Sequence, residues 1–161
     1  MTINQELTII VLAFNSEKII KKCLSSLNLD KYKVIVVDNA SCDKTIGVIE
    51  ENFPTIELIK LNYNSGYGRG NNIALERVKT KFALVLNPDA IIDEQNIEVI
   101  LSEMKNNHKI AIAGPILLES KINHEAELNN KIEKIEQDYL SKKKRYHTKE
   151  KNLYQTKFVS G

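Results

Sequence analysis

Short apolar runs alternate with single helical repeats along the first two-thirds of the chain, and this alternation limits the fold more than any other feature. Leu7 to Phe14 is apolar but for Thr8 and rich in Ile and Val, which suits a strand covered on both faces. Val34–Val37, Ile56–Leu61 and Phe82–Leu86 are three further runs of strand length. Between them Ile19, Ile20, Cys23, Leu24 and Leu27 recur at helical spacing and predict a helix over 17–27. Asp43 is placed to cap a second helix over 44–52, which Pro54 ends. Ile73, Ala74, Leu75 and Val78 mark a third over 68–78, and Ile97, Ile100, Leu101 and Met104 a fourth over 95–106. Strands that each feed one helix through a short loop imply an α/β fold, a doubly wound, mostly parallel sheet with helices on both faces.

In such sheets ligands bind beyond the carboxyl ends of the strands. Polar residues stand at that edge after three of the runs: Asn15, Asp38-Asn39 and Asn87-Pro88-Asp89. One rim therefore receives side chains from three strands. Lys109 to Leu118 holds one more apolar run, after which the character changes. Residues 119–157 are rich in Lys and Glu, with Leu128, Ile132, Ile135 and Tyr139 keeping a helical repeat over 126–140. The expected organisation is a core over 1–118 and a charged helical segment over 119–161. The run Lys142-Lys143-Lys144-Arg145 is either a contact for phosphate or an anionic lipid surface or a solvated helix end, and the second is favoured because preceding Glu residues offset much of its field.

Composition removes several classes of function. A formal charge of +2 on 161 residues is too small to argue for nucleic acid as a partner. Cys23 and Cys42 have no CxxC pair and no His at zinc spacing, so they read as reduced thiols of a cytosolic protein. His108, His124 and His147 form no triad pattern. The N-terminal apolar run lacks a basic flank and a cleavage site, and is too short to span a bilayer.

Two readings stand for each candidate residue. Asp89, after a buried strand and a proline, is placed to hold a divalent cation through oxygen, or to cap the helix that follows. Asp38 suits a carboxylate accepting a hydrogen bond from a base or ribose, or a turn that Asn39 and Ser41 close. Gly66-Tyr67-Gly68-Arg69-Gly70 is neither GxGxxG nor a Walker loop. It is a flexible bend bringing Arg69 toward a phosphate at a helix N-terminus, or a turn with Arg69 in solvent.

Four segments in order resemble the N-terminal region of family 2 glycosyltransferases. They are Ile9–Asn15, Val36–Thr45, Asn62–Asn72 and Leu84–Ala90, and the final Phe158-Val159-Ser160-Gly161 resembles the start of a later family strand. The Gly68-Arg69-Gly70-Asn71-Asn72 and Asn87-Pro88-Asp89 forms are most similar to bacterial rhamnosyltransferase-type enzymes of surface-polysaccharide assembly. The resemblance implies a GT-A, Rossmann-like half that binds a nucleotide-diphosphate sugar, UDP- or dTDP-linked. It implies a donor site bordered by Ala13, Phe14, Asn15, Asp38, Asn39, Ser41, Gly68, Arg69, Asn72 and Asn87. Asp89 is then the metal-binding carboxylate for Mg2+ or Mn2+, with Asn87 in place of the first Asp of a DxD motif. The implied reaction is inverting, metal-assisted transfer to a saccharide or lipid-linked acceptor. A lipid-linked acceptor implies a cytoplasmic protein at the inner face of the membrane, with peripheral membrane contact.

By the same resemblance the catalytic base is expected beyond Gly161, so the chain is expected to be truncated. Two alternatives accompany the enzyme reading. A truncated, inactive nucleotide-sugar-binding module fits the same residues. A nucleotidyltransferase on a similar scaffold is disfavoured, because no Gly-rich basic loop follows the first strand.

Overall fold

The computed structural model of the chain describes residues 4–115. Four parallel strands make the sheet: β1 (Asn4–Ala13), β2 (Tyr32–Asp38), β3 (Glu57–Lys60) and β4 (Phe82–Leu86), in the order β3-β2-β1-β4. The helices are α1 (Ile20–Ser25), α2 (Thr45–Asn52), α3 (Tyr67–Leu75) and α4 (Glu94–Asn106). The chain starts in the sheet's interior, winds outward through β2 and β3, then returns to the other side of β1 as β4. The reversal beside β1 is a topological switch point, where open parallel sheets hold their ligands.

From Leu7 onward β1 is apolar apart from Thr8, because both of its faces are covered, and the buried Thr8 hydroxyl bonds that of Thr80 at 2.8 Å. Leu7, Ile9, Val11 and Ala13 point into a core layer with Cys23 and Leu24 of α1, Ile49 of α2, and Ile97 and Leu101 of α4. Ile10 and Leu12 point the other way, joining Ile35 and Val37 of β2, Ile59 of β3 and Ala74 of α3. Thus α1, α2 and α4 cover one face and α3 covers the other, as the strand–helix alternation predicts. Gly70 sets how closely α3 approaches the sheet. A Cβ added there would lie 2.5 Å from Cδ1 of Leu12, too close for any side chain without displacing that leucine.

Several boundaries differ from those expected. The first helix is six residues rather than eleven, because 17–19 form turns whose amides and side chains brace the loop before α2. The third starts at Tyr67, with Gly66 at φ 78° making the left-handed entry, and ends at Leu75. β2 gains Tyr32, Lys33 and Asp38, since pairing with β1 holds residues that an apolar count leaves out. β3 is shorter than Ile56–Leu61, as only Glu57–Lys60 pair with β2. Residues 109–115, the start of the last apolar run, form neither strand nor helix, and Ile112 is exposed. The expected helix over 126–140 lies outside the described residues. The unit carrying the sheet runs to Glu103, and residues from Met104 onward belong to a second unit. Among the described residues no helix is long and apolar enough to cross a membrane.

Two buried acids make stability fall at alkaline pH. Burial first, and then the negative charge of Asp89, push the Cys23 thiol up to about 11 from an ordinary 9.0. Burial first, and then the hydrogen bond to Glu98, push the Tyr32 phenol up to about 12 from 10.0. The folded chain therefore holds these protons after the unfolded chain has released them. The contribution of these two groups is complete below pH 9 and declines as pH rises toward 12. Thermal melting between pH 8 and 11 should show a falling midpoint, and Cys23→Ala should flatten the early part of that fall.

Candidate functional site

The carboxyl ends of β2, β1 and β4 stand side by side, with Ala13 paired to Asp38 and Val11 to Leu86. The side chains that follow build the rim, and hydrogen bonds between loops fix it. The Asn39 amide N–H donates to Ala13 O at 2.8 Å, carrying the strand pairing one residue past β2. Asn15 enters the left-handed region at φ 49°, where asparagine is tolerated. Its N–H donates to Ser41 Oγ at 2.9 Å, and its Oδ1 accepts from the Cys42 amide at 2.8 Å. Ala40, at φ 65°, turns the chain between them.

Asp38 is fully buried. Its Oδ2 accepts from the Ser41 amide at 3.0 Å, which is the turn expected from the sequence. Its Oδ1 is buried with no hydrogen-bond partner. An unpaired carboxylate oxygen away from water is costly, and such groups concentrate where a ligand completes them. The turn thus uses one oxygen of Asp38 and leaves the other without a partner.

Asn39 is also buried, and its amide is engaged within the protein. Oδ1 accepts from the Ser65 amide at 2.8 Å and from Ser65 Oγ at 3.0 Å, while Nδ2 donates to Asn64 Oδ1 at 2.9 Å. Asn64 Oδ1 in turn accepts from the Gly66 amide at 2.9 Å. The end of β2 thereby holds the entry to α3, which brings Gly68 and Arg69 to the helix's first turn at the same edge of the sheet. Gly68, Arg69 and Asn72 are exposed, and the Arg69 guanidinium sits 6.0 Å from the centre of the Tyr63 ring. Ala13 is wholly buried, so its contribution at the rim is backbone, whereas Phe14 is exposed beside it.

Asn87 and Asp89 are exposed at the end of β4. Capping of α4 falls to Asp93, whose Oδ1 accepts from the Asn96 amide at 2.8 Å, and Asp89 is left clear of that role. Asp43, at the start of α2, binds the Thr45 amide and hydroxyl and the Glu17 amide. Burial alone raises its carboxyl, but these hydrogen bonds outweigh burial and hold it below the usual carboxylate range. Two contacts to Asn87 escape a reading by motif: Tyr67 Oη donates to its side-chain Oδ1 at 3.1 Å, and Cys23 Sγ lies 3.5 Å from its carbonyl oxygen. Asn71, buried on α3 with an unpartnered Oδ1, also escapes one. At the opposite end of the strands lies a cavity of ≈ 340 Å³ lined by Leu29, Tyr32, Lys33, Val34, Thr55, Ile56 and Glu57.

A parallel sheet with a reversal in strand order, and a buried carboxylate with exposed Asn87 and Asp89 at one rim, defines an open, doubly wound α/β protein. The chain belongs to glycosyl transferase family 2, which it matches over residues 8–160. It is 32% identical over 118 residues to the poly(ribitol-phosphate) β-N-acetylglucosaminyltransferase TarS of Staphylococcus aureus, covering 61% of this chain and 21% of that protein. It is 32% identical over 108 residues to the teichoic acid poly(glycerol phosphate) polymerase of Staphylococcus epidermidis, covering 63% of this chain and 15% of that one. The glycosyltransferase SunS of Bacillus subtilis is 27% identical over 86 residues, 53% of this chain and 20% of the relative. The chain thus matches about a fifth or less of the length of these relatives. Among solved structures, residues 1–349 of S. aureus TarS in complex with UDP-GlcNAc superpose with a TM-score of 0.58 at 25% identity, over 74% of this chain and 38% of that one. The same protein in complex with UDP gives the same score.

Proposed function

We propose that this chain binds a UDP-linked sugar at the β2-β1-β4 rim, as the donor half of an enzyme that glycosylates a cell-envelope polymer. The unpartnered Oδ1 of buried Asp38 carries the reading. It sits where an N–H of a base or a ribose hydroxyl would complete it, two strands from Asn87 and Asp89. At the usual strand spacing that separation is about 10 Å, which leaves room for a nucleoside between Asp38 and a diphosphate near Asp89. The exposed first turn of α3 offers amides to the same anion. UDP is favoured over dTDP because UDP and UDP-GlcNAc occupy the similar S. aureus structures. Those relatives are named for N-acetylglucosaminyl transfer and poly(glycerol phosphate) polymerisation, which favours an acceptor of teichoic acid type over a rhamnosyl-transfer role.

The donor set around Asp89 suits a cation that arrives with phosphate. Among the described residues no group of three or more His, Cys, Asp or Glu could cage a metal alone. Mg2+ is commonly held by one or two carboxylates, substrate phosphates and water, and Asp89 meets that need. Such an ion would offset the charge that develops on the departing diphosphate. The protein's own part is to seat the base at Asp38, orient the phosphates across Asn87 and α3, and expose the anomeric carbon for displacement with inversion.

The test is calorimetric titration of UDP and dTDP, with and without Mn2+, into the chain and its Asp89→Ala variant. We expect UDP binding strengthened by Mn2+, with that enhancement lost in the variant. A folded chain that binds neither nucleotide under any condition contradicts the proposal.

A further inference from the structure

Asn87 occupies the position where a second acidic residue would assist a metal, and its surroundings give it a different task. Three elements meet on this residue. The backbone leaves β4 here, Cys23 of α1 lies 3.5 Å from the carbonyl oxygen, and Tyr67 of α3 reaches the side chain from the far side of the loop. Cys23 is buried and stays a protonated thiol well above neutral pH, so it is a weak donor under the backbone rather than a nucleophile. The Tyr67 hydroxyl donates to Oδ1 at 3.1 Å, and its ring is 61% exposed, so packing is not what keeps it there. A phenol donates more strongly than it accepts, so its bond to Oδ1 favours this turn of the amide over the flipped one. The oxygen is occupied, and the Nδ2 amino group is the end that remains for another partner.

We propose that Tyr67 is a positioning residue that holds the Asn87 amide with its amino group turned to the outer phosphate of a nucleoside diphosphate. The inference rests on the nucleotide-sugar reading of the rim and adds to it. An amide in this orientation donates a neutral hydrogen bond to an anion. In the flipped orientation it would place a carbonyl oxygen against the phosphate. Removing the phenol oxygen lets the amide flip and frees the exposed side chain to sample its other rotamers, so part of the binding free energy goes into selecting the productive arrangement. The link also joins α3 to the β4 loop, the two elements that would meet the diphosphate from opposite sides.

Tyr67→Phe removes the oxygen and little else, and at so exposed a position it should leave thermal melting unchanged. Calorimetry with UDP and with UMP, on the full chain, Tyr67→Phe, Asn87→Ala and the double variant, separates the outcomes. We expect Tyr67→Phe to weaken UDP by about 3- to 10-fold, the cost of selecting one among several side-chain arrangements, and to change UMP by less than about 2-fold. Because the phenol acts through Asn87, adding Tyr67→Phe to Asn87→Ala should cost nothing more. UDP affinity unchanged in Tyr67→Phe overturns the proposal, as does an equal loss for UMP. A penalty that persists in the Asn87→Ala background overturns it too, since the phenol would then touch the ligand itself. A folded wild-type chain that does not bind UDP fails earlier, at the donor-site reading on which this one rests.

Discussion

Asp38→Asn should weaken UDP binding by about 10- to 150-fold, the range for a lost hydrogen bond to a charged group, while leaving the protein as stable as before or more so. Asp38 is fully buried, with one oxygen on the Ser41 amide and the other unpartnered. An amide oxygen can keep the first bond. It removes a buried charge whose desolvation the free protein must bear. What it cannot supply is a second acceptor, because the remaining end of the side chain becomes a donor. Affinity and stability should therefore move apart, the pattern of a group retained for binding at the expense of the fold. Titration calorimetry and thermal melting on the same preparation check both halves. Unchanged affinity would return Asp38 to a turn residue alone.

Gly70→Val should destabilise the chain by about 1–3 kcal/mol, the usual cost of overpacking a tight interface. The new Cβ would meet Cδ1 of Leu12 at 2.5 Å and Cδ2 at 3.0 Å, and Leu12 is itself held between β2 and α3. The end of the Leu12 side chain must shift within that buried layer to admit it. The companion change Leu12→Ala opens the space, so the double variant should be less destabilised than the sum of the singles. Chemical denaturation of the four proteins measures the coupling. Strict additivity would mean that α3 shifts as a body instead. The three glycines of the 66–70 stretch thus do separate things. Gly66 makes the left-handed entry, Gly68 has open space around it, and Gly70 packs.

The alternation of apolar runs and helical repeats made the sheet and its rim readable in advance, because a strand buried on both faces must be largely apolar. Ile9 and Ile10 sit in opposite core layers for that reason. Helix ends were less legible. The repeat from Ile19 to Leu27 continues past both ends of α1, because Ser16, Glu17 and Ser26 serve turns and loop contacts. At the site, polar residue types mark the rim without saying which ones face a ligand. Asn39 and Asp38 are neighbours of similar shape, yet both ends of the amide are bonded to Ser65 and Asn64 while one carboxylate oxygen has no partner. Tyr67 was invisible as a partner of Asn87, since the two are twenty positions apart and meet only across the finished fold.

The central claim is that the donor binds where β2, β1 and β4 end. A 15N-labelled chain titrated with UDP and Mg2+, followed by amide chemical shifts, tests it most directly. The largest changes should fall at Asn15, Ser41, Cys42, Gly66 to Arg69, Asn87 and Asp89. Tyr32, Thr55 and Glu57, which line the cavity at the other end of the strands, should stay still. Shifts concentrated at that cavity, with the rim silent, would contradict the account.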